Sequence, residues 1–294
     1  MIEIEFPSYY QAADRSSVKA QSYYVNIIRI NLLSMIFASA LSIYNYQLTN
    51  SKLIIYMISG LLLLLSLILT IVLKIKKYED IWYQGRALAE SCKTLTWRFI
   101  SCSEYFEVNL SLLEAKERFV NRIKELSKEF SELSKIMDSR TLSLPIITHK
   151  MIELRCQNTI QRKKYYIINR IENQKKWYSN KAEYNVGKYN IWFLVIIFSQ
   201  IISFISIVLL IKYPDYNWNF VGLFTTISTS SISWLQIKQH QELKQAYTTA
   251  AQELNHIVTL SESIKTDDEL SKFVLDSENA ISKEHTLWSA QKRK

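Results

Sequence analysis

The chain carries four long apolar runs arranged as two pairs, and polar sequence fills the rest. The first pair covers residues about 27–46 and 53–73, and the second covers about 191–211 and 221–237. As a helix, a run of the length of 53–73 rises about 32 Å, enough to cross the ~30 Å hydrocarbon core of a bilayer. A wholly buried helix of a soluble protein is the alternative interpretation. The pairing predicts four membrane spans as two transmembrane helical hairpins.

The basic residues near the runs predict the orientation of both hairpins. They cluster at the hairpin ends, whereas the short loop of the first hairpin offers only Lys52. Cytoplasmic flanks of membrane spans are enriched in Lys and Arg, so both hairpin ends and both termini are expected in the cytoplasm. The flanking residues are Arg15, Lys19, Arg29, Lys74, Lys76 and Lys77 for the first hairpin, and Lys181, Lys188 and Lys238 for the second.

The polar sequence outside the runs predicts helices as well. The chain has only 4 Gly and 3 Pro, which argues against a turn-rich β architecture. Ser111 to Glu114 and Thr266 to Glu269 have the spacing of helix-starting capping boxes. The basic stretch 148–188 leads as a helix into the third run. We therefore predict an all-α integral membrane protein with a helical cytoplasmic layer.

A boundary is predicted at residues 139–145, because Pro145 removes a backbone donor and restrains its predecessor. It divides the chain into two units of one plan, residues 1–140 and 146–294. Each unit would hold one hairpin together with its cytoplasmic helices.

Composition narrows the function classes. The formal net charge is +9, and residues 75–188 alone carry a net +8. Positive cytoplasmic flanks and attraction to anionic lipid headgroups explain this excess, and no nucleic-acid-binding module is recognisable, so no nucleic-acid partner is predicted. The 3 Cys form no CxxC motif, which argues against a disulfide framework and a zinc site. We predict no metal and no cofactor.

The fourth run is unusual because seven hydroxyl side chains fall within residues 225–233. Close helix packing through small residues is one explanation, and a wettable pore wall is the other. The absence of charged residues well inside spans two to four disfavours a proton relay or a coupled transporter. The candidate pore-lining residues share one helical stripe: Gly222, Thr226, Thr229, Ser230 and Ser233.

A second small-residue stripe lies in the first run. Ser34, Ala38 and Ser42 recur at every fourth position. Small side chains allow the backbones of membrane helices to approach closely, so these residues are predicted to pack against another helix.

One helical face in the basic stretch is the candidate for a ligand or regulatory contact: Arg170, Gln174, Trp177 and Tyr178. An Arg can bind phosphate and a Trp can stack on a base, but a polar helix–helix contact explains the same spacing. The four His are scattered and no catalytic motif is recognisable, so the chain is predicted not to be an enzyme. Glu284 and His285 beside Trp288 are expected to serve helix packing.

Several motifs of the chain are similar to those of one bacterial family. In the second half they are Met151, Leu154, Arg155, Arg162, Tyr165, Arg170, Gln174, Trp177, Tyr178, Lys181 and Ala182, and further on Ser277, Glu278, Ser282, Lys283, Glu284, His285 and Trp288. In the first half they are Ala12, Ala13, Asp14, Ser17, Ala20, Gln21 and Tyr24. The second half resembles the SLATT group of two-span membrane proteins, and the first half resembles a divergent SLATT subfamily.

The resemblance implies a membrane effector of a bacterial conflict system in the inner (cytoplasmic) membrane. Such proteins are often encoded beside nucleotide second-messenger enzymes and are predicted to form pores, so a nucleotide second messenger or a soluble defence protein is a candidate partner. In the cytoplasmic stretch after the second run, one apolar helical face has no evident partner: Tyr78, Ile81, Gly85, Leu88, Cys92, Leu95 and Phe99. Together with this unpartnered face, the resemblance predicts a homo-oligomeric pore in the lipid bilayer that permeabilises the membrane in a defence response. The alternative is a membrane-anchored scaffold that recruits a soluble effector through its cytoplasmic helices.

Overall fold

The computed structural model describes residues 4–43, 49–215 and 217–291, and the side chains within these ranges except for 49–51 and 283–291. Apart from one isolated bridge residue, Trp218, all regular secondary structure in these ranges is helical, which confirms the all-α class. The α-helices are α1 (Ser8–Ala40), α2 (Thr49–Lys76), α3 (Tyr78–Ile100), α4 (Leu112–Glu129), α5 (Ser131–Ser134), α6 (Ser139–Leu142), α7 (His149–Arg155), α8 (Thr159–Tyr166), α9 (Asn173–Lys212), α10 (Val221–Lys238), α11 (His240–Leu260) and α12 (Asp267–Gln291).

Three helices in the described ranges are long and apolar enough to cross a membrane: Ser8–Ala40, Lys52–Lys76 and Thr159–Lys212. The last of these joins α8 to α9 through a π-helical segment, Ile167–Glu172. The fourth run also forms a helix, α10, but it is not among the three. It has 18 residues, and its hydroxyl side chains lower its hydropathy.

The first run differs from its prediction at its C-terminal end. Helix α1 ends at Ala40, and residues 41–43 form a turn rather than a continued helix. Ser42 therefore lies beyond the helix, where its hydroxyl donates to the Ser39 carbonyl at 2.7 Å. Residues 44–46 of the predicted span lie outside the described ranges.

The chain divides into two compact units that do not follow its two halves. Unit 1 comprises residues 1–21, 79–181 and 246–294, and unit 2 comprises residues 22–78 and 182–245. Both units therefore draw helices from both halves of the sequence. The predicted boundary at 139–145, which concerns the halves of the sequence, stays a prediction.

Unit 1 is a helical body with one aromatic-rich core. The rings of Phe99, Phe106 and Phe119 pack with centroids 5.1–5.8 Å apart, and all three side chains are fully buried.

Both predicted capping boxes are confirmed. Ser111 and Glu114 exchange hydrogen bonds at the start of α4, and Thr266 and Glu269 do so at the start of α12.

Two buried arginines brace the loop that follows α3. Arg155 donates to the carbonyls of Phe99, Phe106 and Glu107 at 2.7–3.1 Å. Arg162 donates to the carboxylate of Asp267 and therefore ties α8 to the start of α12. Arg162 also donates to the Ser101 carbonyl at 3.4 Å, at the start of that loop. Both arginines thus serve backbone carbonyls around the loop and have a structural role.

Unit 2 consists of antiparallel helix pairs whose register follows from its side-chain contacts. Asn31 of α1 donates to Thr70 of α2 at 3.0 Å. At one end the rings of Trp192 in α9 and Trp234 in α10 lie 6.1 Å apart. Toward the other end Ser203 of α9 lies 3.1 Å from the Thr225 hydroxyl of α10. Helices α9 and α10 therefore run antiparallel, as a hairpin requires.

The three cysteines of unit 1 should differ in reactivity, because the thiolate is the nucleophile and burial disfavours it. Burial raises the pKa of Cys92 to about 12 and also raises the pKa of Cys102, whereas Cys156 is exposed. N-ethylmaleimide at pH 7.5 is expected to modify Cys156 first, read by peptide mass spectrometry. Cys156→Ser should abolish this early labelling, and equally fast labelling of Cys92 in the native protein would contradict the structure.

Candidate functional site

The hydroxyl stripe contacts α1 at the N-terminal end of α10. The Thr226 hydroxyl lies 3.3 Å from the Ser39 hydroxyl, and a Cβ atom added to Gly222 would lie 3.7 Å from the same oxygen. Gly222 and Thr226 therefore face α1, where small side chains allow the close approach of two helices.

Further along α10 the stripe is divided between buried and exposed positions. Ser230 is buried within unit 2 and Ser233 is half-buried, whereas Thr229 is exposed. Thr225, one turn before Thr229, is also exposed. Thr225 and Thr229 are thus exposed on the single chain, although the Thr225 hydroxyl also contacts Ser203 of α9 at 3.1 Å. The other hydroxyls of α10 are buried or half-buried.

The hydroxyls of α10 also bond to their own helix. Thr226 donates to the Gly222 carbonyl at 2.8 Å, and Thr229 donates to the Thr225 carbonyl at 2.9 Å. A donor that bonds back to the preceding turn needs no water, so the helix tolerates an apolar environment. The oxygens keep lone pairs that can accept from water or hydrate an ion.

The predicted packing stripe of α1 has two buried members. Ser34 and Ala38 are 4% and 7% exposed, and Ser34 donates to the Ile30 carbonyl. Ser42 is exposed in the turn after α1 and is not part of this buried stripe.

A polar cluster between α1 and α2 was not predicted from the sequence. Asn31 accepts a hydrogen bond from Ser66 at 2.7 Å and donates to Thr70 at 3.0 Å. An amide that bonds to two hydroxyls of a neighbouring membrane helix fixes the register of the pair. The only sequence signal was an Asn within an apolar run.

A buried ion pair occupies the middle of unit 1. Arg170 and Glu278 are 1% and 0% exposed. Nε and Nη2 of Arg170 donate to the two carboxylate oxygens of Glu278 at 2.9 and 2.8 Å. Tyr166 and Thr94 donate to the same carboxylate at 3.0 and 2.8 Å. Four hydrogen bonds thus stabilise the Glu278 charge, which burial alone would make costly.

The electrostatics of this cluster follow from burial and from Glu278. Burial alone would lower the pKa of Arg170, but the Glu278 carboxylate reverses this effect, so the pKa lies above its usual value. Burial, followed by the Glu278 charge, raises the pKa of Tyr166 well above its usual value. Arg170 therefore stays charged and Tyr166 stays a neutral donor over the physiological pH range.

Arg170 lies in an irregular, π-helical part of the chain, and Tyr166 directly precedes that part. Arg170 lies within the π-helical segment Ile167–Glu172, and its Nη1 has no hydrogen-bond partner among the described residues. Short π-helical segments often mark functional sites in proteins. Here the segment places both Tyr166 and Arg170 against Glu278.

The other members of the predicted ligand face pack within unit 1. Tyr178 is fully buried, and the Trp177 and Tyr178 rings lie 5.3 and 5.7 Å from the Tyr247 ring. Gln174 is half-buried. The structure thus places Arg170, Trp177 and Tyr178 in helix–helix contacts, and their contact with a ligand stays a prediction.

No His, Cys, Asp or Glu cluster suitable for a metal ion occurs among the described residues. His240 is buried, and its Nδ1 lies 2.7 Å from the Asn185 amide oxygen. The side chains of Glu284 and His285 lie outside the described residues.

The fold and these contacts define an all-helical protein with three helices that are long and apolar enough to cross a membrane. Residues 7–163 match the family model of the SMODS and SLOG-associating 2TM effector domain 3, and residues 166–288 match that of the SMODS and SLOG-associating 2TM effector domain 1. The chain belongs to the SLATT family, with two SLATT domains in tandem. No curated protein and no solved structure matches the chain.

Proposed function

We propose that the chain is a membrane effector that assembles as a homo-oligomer and opens a path for ions across the bacterial inner membrane. In this proposal α10 is a fourth span, both termini are cytoplasmic, and the exposed face of α10 lines the path. The observation that carries the proposal is the exposure of Thr225 and Thr229 on a helix that otherwise fits an apolar environment.

The contacts of α10 support its place among the spans. It packs against α9 near both of its ends and against α1 through Thr226, Ser39 and Gly222. Its 18 residues rise about 27 Å, close to the thickness of a hydrocarbon core. A single chain of thin helices encloses no channel, so copies of the chain would have to surround the path.

The path proposed here needs no charged side chain. Hydroxyl oxygens can replace part of the water around an ion, and apolar neighbours can close a narrow pore by excluding water. Thr226 and Ser230 would hold the helices together while Thr225 and Thr229 face the path. Of the predicted pore-lining set, this proposal keeps Thr229 as a lining residue and assigns Gly222, Thr226 and Ser230 to packing, and Thr225 was not in that set.

The source of the signal is proposed from the family description. SMODS and SLOG proteins are the associates that this description names. We propose that such a protein, or a nucleotide that it makes, changes the packing of unit 1. Helix α1 and the continuous helix from α8 to α9 both run from unit 1 into unit 2 and could carry that change to the spans.

Removal of the exposed hydroxyls tests the pore directly. Thr225→Val with Thr229→Val keeps the side-chain shape but removes both lining oxygens, so ion flux through liposomes that carry the activated protein is expected to fall at least about tenfold. Ser228→Ala with Ser231→Ala, at two buried positions of the same helix, is the matched control and should keep most of the flux.

Two results would separate the pore from the scaffold. Unchanged flux and unchanged toxicity in the double Val variant would exclude α10 as the lining helix. Toxicity in cells combined with liposomes that stay tight to ions under every activating condition would favour the scaffold that recruits a soluble effector.

A further inference from the structure

At one end of unit 2 the basic residues outnumber the acidic ones. Unit 2 contains nine Lys and Arg but only three acidic residues, Glu183, Asp215 and Glu242. Seven of the nine basic residues lie on the side of the apolar runs that the positive-inside pattern assigns to the cytoplasm. The other two are Lys52 and Lys212. This end of the unit should therefore attract anions.

Two of these cations contact one indole ring from two different helices. Cζ of Arg29 in α1 lies 5.7 Å from the centroid of the Trp234 ring, and Nζ of Lys238 lies 5.5 Å from it. The two charges are consequently no more than about 11 Å apart. Cation–π contact holds each of them on the ring but does not neutralise either charge.

The polar partners of the two cations leave this charge uncompensated. Arg29 donates one long hydrogen bond, at 3.3 Å, to the amide oxygen of Asn26, and it is exposed. Within the described part of the chain no acidic side chain forms an ion pair with Arg29 or Lys238. Like charges within about 11 Å of each other repel, and a bound anion would reduce the repulsion.

A histidine near this pair of cations does not add a third positive charge. The neighbouring His240 is buried, and burial, followed by the charges of Lys238 and Lys188, lowers its pKa. Glu242 is the one acidic residue that opposes this effect. His240 is therefore neutral at pH 7, so a compensating anion would be held by Arg29 and Lys238.

We propose that Arg29, Lys238 and Trp234 form a binding site for a phosphate group, at the level where lipid headgroups would surround unit 2. The guanidinium can donate two hydrogen bonds to phosphate oxygens, and the ammonium supplies a point charge. Trp favours the boundary between hydrocarbon and headgroups, so the ligand class that fits best is an anionic phospholipid. The site does not depend on whether the protein conducts ions.

Lipid retention tests the site in the full chain. Native mass spectrometry of the detergent-solubilised protein with added phosphatidylglycerol should show bound lipid. Arg29→Gln with Lys238→Gln is expected to weaken the apparent affinity at least about tenfold, whereas Arg29→Lys with Lys238→Arg should retain binding. Both side chains are at least partly exposed, so folding should survive, and helix content by circular dichroism checks it.

Lys212→Gln is the matched control. Lys212 also lies over an aromatic ring, 5.3 Å from the Tyr213 centroid, but at the other end of unit 2, and no second cation among the described side chains lies on that ring. The Lys212→Gln variant should bind phosphatidylglycerol as the wild type does. Equal loss in Lys212→Gln and in the double Gln variant, or no loss in the double variant, would overturn the site.

A second arm separates lipid phosphate from free phosphate. Inorganic phosphate or ATP is added to lipid-free protein, and the melting temperature is measured. A rise that requires Arg29 and Lys238 would assign the site to a soluble phosphate compound, and no rise beside lost lipid binding would assign it to the headgroup. A rise that persists in the double Gln variant, with lipid binding intact, would show that the phosphate binds elsewhere.

Discussion

Arg170→Met is expected to lower the free energy of unfolding of unit 1 by about 3–5 kcal/mol, because it leaves a buried carboxylate without its counter-charge. Glu278 is fully buried, and two of its four hydrogen bonds come from Arg170. The donors that remain, Tyr166 and Thr94, are neutral. A urea titration of the detergent-solubilised protein, followed by circular dichroism, measures the loss.

An exposed pair of the same unit provides the control. Lys135 and Glu132 contact at 2.6 Å, but their side chains are 68% and 76% exposed. Solvent screens such a pair, so Glu132→Gln should change the free energy of unfolding by less than about 1 kcal/mol.

The double variant Arg170→Met with Glu278→Leu checks the mechanism. Without a buried charge on either side, much of the lost stability should return, because well-packed apolar residues can replace a buried pair. A single variant that loses less than about 1 kcal/mol would contradict the buried pair. A double variant no more stable than Arg170→Met would show that packing, and not charge, causes the loss.

The helices of unit 1 could be predicted from the sequence more readily than the contacts between them. The capping boxes at Ser111 and Thr266 could be predicted because the interacting residues are three positions apart. Arg170 and Glu278 both belong to the motifs that resemble the SLATT family, but they are 108 positions apart. Spacing along a helix reports which residues share a face and does not identify the residue that the face contacts. The ion pair could not be predicted for this reason.

In unit 2, too, the sequence predicted helices better than their contacts. Hydropathy predicted α2 and α9 well, since long runs of Leu and Ile need no partner to be recognised. The end of α1 at Ala40 and the position of α10 depend on contacts, such as the hydrogen bond from the Asn219 amide to the Ile43 carbonyl at 2.7 Å. The division of the α10 hydroxyls into buried and exposed sets likewise follows from which helices surround it.

The interleaving of the two units could not be predicted either. The sequence suggested two successive units of one plan, and the family models also match one half after the other. The structure instead groups the N-terminal part of α1 with α3, α8 and α12 in one compact unit. Periodicity shows that the face of α3 is apolar, but it does not show whether the partner comes from the same half.

The close approach of α1 and α3 gives the second large effect, at Gly85. A Cβ atom added there would lie 2.9 Å from Cβ of Ser17, 3.0 Å from the Ala13 carbonyl oxygen and 3.1 Å from Cα of Ser17. Two of these three atoms belong to the backbone, so they cannot rotate away. Gly85→Val should push α1 from α3 and lower the free energy of unfolding by about 3 kcal/mol.

Gly187→Val is the matched control, because Gly187 is also inside a helix but no heavy atom lies within 4 Å of its added Cβ. Valine and glycine differ by only about 0.5 kcal/mol in helix propensity, so this variant should unfold close to the wild type. The same urea titration compares both. Equal midpoints for Gly85→Val and the wild type would show that α1 and α3 do not touch at this position, since the neighbouring backbone atoms could not rotate away to admit the valine side chain.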